Sequence, residues 1–171
     1  MNSGKSYKSP ELIIALSALL ISVVTACTSL YSAYIDRAYS RASVWPRLEL
    51  FRSYSSNSFN YGVSNSGTGP ALIKYAKVKY GSEYMSTWNE IGIFSNITQS
   101  HIHNRTLSAQ QDIVPLMYKG DNISELLEAD KLISIELCYC SIYEECWVVD
   151  RNSFPSPVDI CEVNEEQSFN Q

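Results

Sequence analysis

The chain has 171 residues, 45% of them hydrophobic, and a formal net charge of −5. These values argue against a polytopic membrane protein; with one apolar N-terminal run set aside, about 125 residues remain, the size of one domain with one core. Residues 1–41 carry Lys5, Lys8, Arg37 and Arg41 against Glu11 and Asp36, a net of +2, so the remainder is −7, which argues against duplex nucleic acid as a partner because phosphate contacts draw on Lys and Arg.

Residues 1–11 read as a polar flank. Leu12 to Ile35 is a stretch of 24 residues without a charge. At about 1.5 Å per residue, a helix of this length crosses a hydrocarbon core of ~30 Å. The expectation is a single transmembrane helix over 12–35, with the lipid bilayer as its partner and Tyr31 and Tyr34 at the level of an aromatic belt. Ser17, Ala18, Ser22, Ala26 and Ser29 are small enough for close helix packing, so a homo-oligomer is expected. Two rivals share this segment. A cleaved signal peptide has a shorter apolar run, and Val24-Thr25-Ala26-Cys27 resembles a lipoprotein cleavage box with Cys27 as the lipidated residue.

Residues 36–45 read as a juxtamembrane helix and linker. Pro46 lacks an N–H and disfavours helix at Trp45, so Trp45-Pro46 ends it. Trp45 is placed to dock on the membrane or cap the core. The domain over 46–163 should be mainly β. Tyrosine is abundant, with 12 residues, against 7 Gly and 6 Pro, a composition that suits strands.

Alternation predicts strands over 47–54, 59–65 and 71–80, with turns at Ser55–Ser58 and Ser66-Gly67-Thr68-Gly69-Pro70. In the third strand, simple alternation puts Leu72, Lys74, Ala76, Val78 and Tyr80 on one face. Ser86 to Ile91 reads as a short helix. Residues 92–110 have no clear period. Strands are expected over 112–118, interrupted or edged by Pro115, over 131–143, and over 146–150 after a Glu144-Glu145 hairpin loop. A short helix is expected over 124–130 and a short extended piece over 158–163. Residues 164–171 read as a flexible polar tail. Together these elements describe an antiparallel β-sandwich preceded by one N-terminal transmembrane helix.

Three segments carry a resemblance: Ser43-Val-Trp-Pro-Arg-Leu48 directly after the apolar run, Val63-Ser-Asn-Ser-Gly-Thr-Gly-Pro-Ala-Leu-Ile73, and Cys138-Tyr-Cys-Ser-Ile-Tyr143 followed by Cys146-Trp147. In this order they resemble an uncharacterised family of bacterial single-span membrane proteins. The resemblance implies a β-sandwich held at the inner membrane and implies no activity. A looser comparison is with membrane effectors of antiphage systems, which join a short span to a nucleotide-sensing domain.

Gly67 and Gly69 could cradle an anion with backbone N–H groups, although the Gly-Lys-Ser/Thr ending of a P-loop is absent. The plainer role for both is to supply positive φ in a strand connection. Lys74, Lys77 and Lys79 make a local basic patch in an acidic domain, a candidate contact for phosphate or phospholipid. His101 and His103 alternate and with Asp112 or a Cys could bind a metal, but two histidines at this spacing are weak evidence and a polar loop explains them as well. Cys138-x-Cys140-x5-Cys146-x14-Cys161 lacks zinc-knuckle spacing, so no metal and no cofactor is expected. Cys138 and Cys140 share one strand face, which reads as a reduced, cysteine-lined core, with disulfides second. Together with a slight excess of positive charge after the span, this points to a cytoplasmic domain.

The function expected from these features is a non-enzymatic sensor or interaction module at the bacterial inner membrane. A small anionic ligand or a protein partner would bind it, and its setting would be antiphage defence. The alternative is a periplasmic or lipidated envelope protein with structural disulfides. An enzyme is the remaining reading, and no catalytic constellation supports it.

Overall fold

The computed structural model of the chain describes residues 9–94, 97–162 and 164–170. It divides into two compact units, residues 1–42 and 43–171. The first holds the helix α1, Pro10–Ser43, all but its last residue, and none of the helix's residues is buried. By length and composition it is able to cross a membrane. Its hydroxyls do not oppose this. Ser22, Thr25, Thr28 and Ser29 donate to carbonyls one turn back at 2.6–2.8 Å, so each polar side chain brings its own acceptor into an apolar environment.

The second unit contains β1 (Leu48–Tyr54), β2 (Ser58–Asn65), β3 (Ala71–Tyr80), β4 (Glu83–Met85), β5 (Ile97–Gln99), β6 (Thr106–Leu107), β7 (Asp112–Lys119), α2 (Ile123–Asp130), β8 (Ile133–Cys140), β9 (Cys146–Asp150) and β10 (Ser156–Val158). One sheet has the order β1-β2-β7-β5. The other has β10-β9-β8-β3-β4, with β6 also paired to β3. The paired strands are antiparallel. The two sheets pack as a sandwich, as the alternation predicted.

The inner faces bury Leu48, Phe59, Val63, Ile73, Leu107, Leu116, Leu137, Tyr139 and Val149. The edge strand β1 is stitched across to the opposite sheet. The Leu48 amide donates to the Tyr139 hydroxyl at 3.3 Å, and Ser153 Oγ both accepts from the Leu50 amide and donates to the Leu50 carbonyl at 3.0 Å. This occupies backbone groups that an open edge would leave available for another strand.

Two irregularities decide which side chains face inward. The β3–β8 register shifts between Ile73 and Tyr75, so Ile73, Ala76 and Val78 lie opposite Tyr139, Leu137 and Ile135 on the inner face. Tyr75, Lys77 and Lys79 lie opposite Cys138, Glu136 and Ser134 on the outer face. The face expected from simple alternation is therefore corrected: the bulge at Lys74 puts Ile73 with Ala76 and leaves Lys74 exposed. In the other sheet the β2–β7 register shifts between Tyr61 and Val63. Pro115 falls at this irregularity, where its missing N–H interrupts no regular ladder.

The stretch from residue 164 is not the flexible tail expected from its polarity. Phe169 is buried against Trp88, with ring centroids 4.9 Å apart. Its amide donates to the Ala76 carbonyl at 2.9 Å, and the Asn170 amide donates to the Ser86 carbonyl at 2.9 Å. One aromatic ring amid polar neighbours is enough to fix the segment. The piece expected over 158–163 meets a strand only at Val158, the last residue of β10; residues 159–162 are irregular and 163 lies outside the described residues. The long strand expected over 131–143 runs from Ile133 and ends at Cys140. There the Ser141 hydroxyl accepts from the Tyr143 and Glu145 amides to close the hairpin turn.

Candidate functional site

The glycine loop between β2 and β3 is a junction within the domain. Its amides are already occupied. Ser66 donates to the Arg47 carbonyl at 2.9 Å, and Thr68 and Gly69 donate to the Trp45 carbonyl at 2.9 and 3.3 Å. Gly67 donates to Asn65 Oδ1 at 3.1 Å. Neither Gly67 nor Gly69 takes a positive φ; among the described glycines Gly81 does, at 65°. Their role is close approach. A Cβ at Gly67 would lie 2.4 Å from the Trp45 carbonyl oxygen, and one at Gly69 would lie 1.8 Å from the Val44 carbonyl oxygen.

Asn65 organises this junction. It is fully buried, accepts from the Arg47 and Gly67 amides, and donates to the carbonyls of Gly69, Leu107 and Ser108. Every polar atom of the buried amide has a partner. Trp45 itself is 51% exposed, and its ring lies 6.3 Å from that of Trp147. Tyr31 and Tyr34 are exposed along α1.

The three lysines do not converge. Lys77 is paired with Glu136 at 3.3 Å and lies over the Tyr75 ring. Lys79 lies over the Tyr84 ring at 4.4 Å. Tyr75 donates to Glu136 at 3.1 Å; burial, then the Glu136 charge and hydrogen bond, push its pKa up to about 12. Lys74, thrown outward by the bulge, lines a different cleft beside the cysteines.

The cysteines form two bridges, Cys138–Cys161 and Cys140–Cys146, and Cys27 on α1 is free and exposed. This corrects the reduced core expected from their spacing. Cys138 and Cys140 do share a face, but it is the outer face, because their neighbours Leu137 and Tyr139 take the inner one. The segment carrying Cys161 lies over that outer face and is bonded to it. Three of the sulfurs, on Cys140, Cys146 and Cys161, lie within 4.8 Å of one another; bonded as disulfides, they offer no thiolate to a metal.

A second cluster forms where the sandwich is open between β1 and β9. Asp130, at the end of α2, is 1% exposed. It accepts from the Tyr61 hydroxyl, from Arg52 and from Arg151, the last at 2.8 Å. Arg151 also donates to the carbonyls of Asp130 and Ile133 at 2.7 and 2.6 Å. Burial alone would push the Asp130 carboxyl up, but the Tyr61 hydroxyl and the two guanidiniums outweigh it and hold the carboxyl below its ordinary value. Burial, followed by the Asp130 hydrogen bond and charge, raises the Tyr61 hydroxyl well above the usual tyrosine range. Two guanidiniums over one carboxylate leave a single positive charge at a cleft of about 250 Å³, walled by Leu50, Val63 and Ile135.

Sequence reasoning missed this cluster because its members come from four separate elements. One signal was available: Arg52 continues the inward alternation of Leu48 and Leu50, and a charge at an inward position calls for a partner. His101 and His103 lie in an irregular segment. His101 is exposed, and His103 Nε2 contacts the Asn104 side-chain amide at 2.8 Å.

Compared with protein-family models, curated proteins and solved structures, the chain matches none of them.

Proposed function

We propose that the chain is a non-enzymatic binding module, anchored in a membrane by α1, whose β-sandwich works in an oxidising compartment outside the cytoplasm. The pair of disulfides carries this reading. Such bridges form and persist in oxidising compartments and are rare where glutathione and thioredoxin keep thiols reduced. The cytoplasmic placement rested on a slight excess of positive charge after the apolar run and on reduced cysteines, and the two bridges remove the second support. The charges flanking the apolar run differ too little in number to oppose this orientation.

The anionic ligand expected from the lysines finds better support at the mouth of the inter-sheet cleft. There Arg52 and Arg151 together exceed Asp130 by one charge, and apolar walls lie behind them. A small carboxylate or phosphate with an apolar group suits that lining. Binding would act on the β1–β9 opening, a region of the sandwich held by side chains and not by a strand ladder.

Reporter fusions after Gln171 test the placement. Alkaline phosphatase fused there should be active, since it matures only outside the cytoplasm. A green fluorescent protein fusion should be dark. The reverse pattern, bright fluorescence with inactive phosphatase, would overturn the reading.

A further inference from the structure

Cys161 lies between two possible partners. It is bonded to Cys138, and its Sγ is 3.7 Å from Cys140 Sγ. Cys140 is itself bonded to Cys146. The four sulfurs therefore sit side by side on the outer face of the β8–β9 hairpin. Cys140, Cys146 and Cys161 border a cleft of about 530 Å³ whose rim includes Leu72, Lys74, Glu144, Asp159 and Ile160, and Cys138 lies buried beneath them. Cys138–Cys161 ties the segment after β10 to β8. The second bridge joins strands that are already paired at Cys140↔Cys146 and spans a sequence separation of only 6, against 23 for the first, so its entropic contribution is the smaller of the two.

We propose that these four cysteines form a thiol–disulfide exchange site whose partner is a protein dithiol. The first step is attack of the partner's thiolate on Cys146 Sγ. A partner–Cys146 bond forms, the Cys140–Cys146 bond breaks, and its electron pair leaves Cys140 as a thiolate. The partner's second thiolate then attacks its own sulfur in the mixed bond. This releases Cys146 as a thiolate, which takes up a proton, and leaves the partner as a disulfide. Two electrons have passed from the partner to this chain.

The Cys140 thiolate is then in van der Waals range of Cys161. Its attack forms Cys140–Cys161 and expels Cys138, which is fully buried and takes up a proton because a thiolate is poorly solvated there. The tether of the C-terminal segment thereby moves from Cys138 to Cys140, the next position on the same strand face. Lys74 is the cation at this cleft, set against the carboxylates of Glu144 and Asp159. The site rests on the same two bridges that carry the proposed compartment, and the purified chain tests the exchange apart from the placement.

The experiment uses the full chain in detergent with Cys27→Ser, so that every thiol detected belongs to the cluster. One equivalent of dithiothreitol is the dithiol probe. Samples are quenched in acid at intervals, alkylated, and mapped by mass spectrometry without reduction. The expected result is a singly reduced population with thiols at Cys146 and at either Cys140 or Cys138. The two forms should interconvert and settle within about tenfold of each other, as bridges of similar stability do. Cys146→Ser provides a second route: Cys161 should be found bonded to Cys138 in some molecules and to Cys140 in others. Tryptophan fluorescence checks that this variant is folded. Thiols confined to Cys140 and Cys146, with Cys138–Cys161 intact at every time point and in the folded variant, would overturn the proposal.

Discussion

Replacing Asp130 with Asn removes the charge at the centre of the β1–β9 opening and changes little in shape. Three donors converge on this carboxylate: the Tyr61 hydroxyl, Arg52 and Arg151. An Asn side chain turns one acceptor oxygen into an NH2 group facing those donors. It also leaves two guanidiniums without a counter-charge. Breaking one member of a fully buried ion pair costs about 3–5 kcal/mol. The Arg52 and Arg151 side chains are 37% and 31% exposed, so water offsets part of that loss, and about 3 kcal/mol is the expected destabilisation of Asp130→Asn. For a domain of this size that lowers Tm by roughly 10 °C.

The pH dependence follows from the direction of the Asp130 shift. Its folded pKa lies below the ordinary carboxylate value, so its contribution is complete above the unfolded pKa and is lost as pH falls through the folded one. The gap in Tm between the natural chain and Asp130→Asn should be flat at neutral pH and should close in acid, below about pH 4. Thermal melts of the full chain in detergent, followed by tryptophan fluorescence, read the domain alone, because Trp45, Trp88 and Trp147 all lie outside α1. A Tm within about 3 °C of the natural chain at pH 7, or a gap independent of pH, would refute the reasoning.

The glycine junction gives a contrast within one residue type. Gly69→Ala should destabilise the domain by about 2 kcal/mol or more, because its Cβ would meet the Val44 backbone, whereas Gly92→Ala should be near neutral because nothing lies within 4 Å; urea titration compares the two. Phe169→Ala should cost about 3–5 kcal/mol in the same titration, where a truly flexible tail would show no change. Removing the two bridges separately by paired Cys→Ala changes should give unequal losses, roughly 3 kcal/mol for Cys138–Cys161 and roughly 2 kcal/mol for Cys140–Cys146 by loop-closure entropy, since their sequence separations are 23 and 6.

Much of the architecture was legible in the sequence because one period governs it. The alternation in 47–54, 59–65 and 71–80 recurs as β1, β2 and β3, and Trp45-Pro46 does mark the end of α1. What was not legible depends on tertiary events that alternation does not encode. A one-residue bulge at Lys74 exchanged the faces of β3. The shared face of Cys138 and Cys140 was read correctly, but whether it looked inward depended on which side the second sheet covers. Phe169 gave no periodic signal, since a single ring in a polar segment has none. The Asp130 cluster draws its members from β1, β2, α2 and the turn after β9, and only the inward place of Arg52 hinted at it.

If the domain carries two disulfides in an oxidising compartment, a count of thiols in the cell reads them out. Cells are lysed into denaturant with excess maleimide and no reductant, and the mass of the full chain is measured. One labelled cysteine of the five, Cys27, is expected, with labelling at all five only after reduction. Five labelled cysteines without reductant would contradict it and return the domain to a reducing compartment.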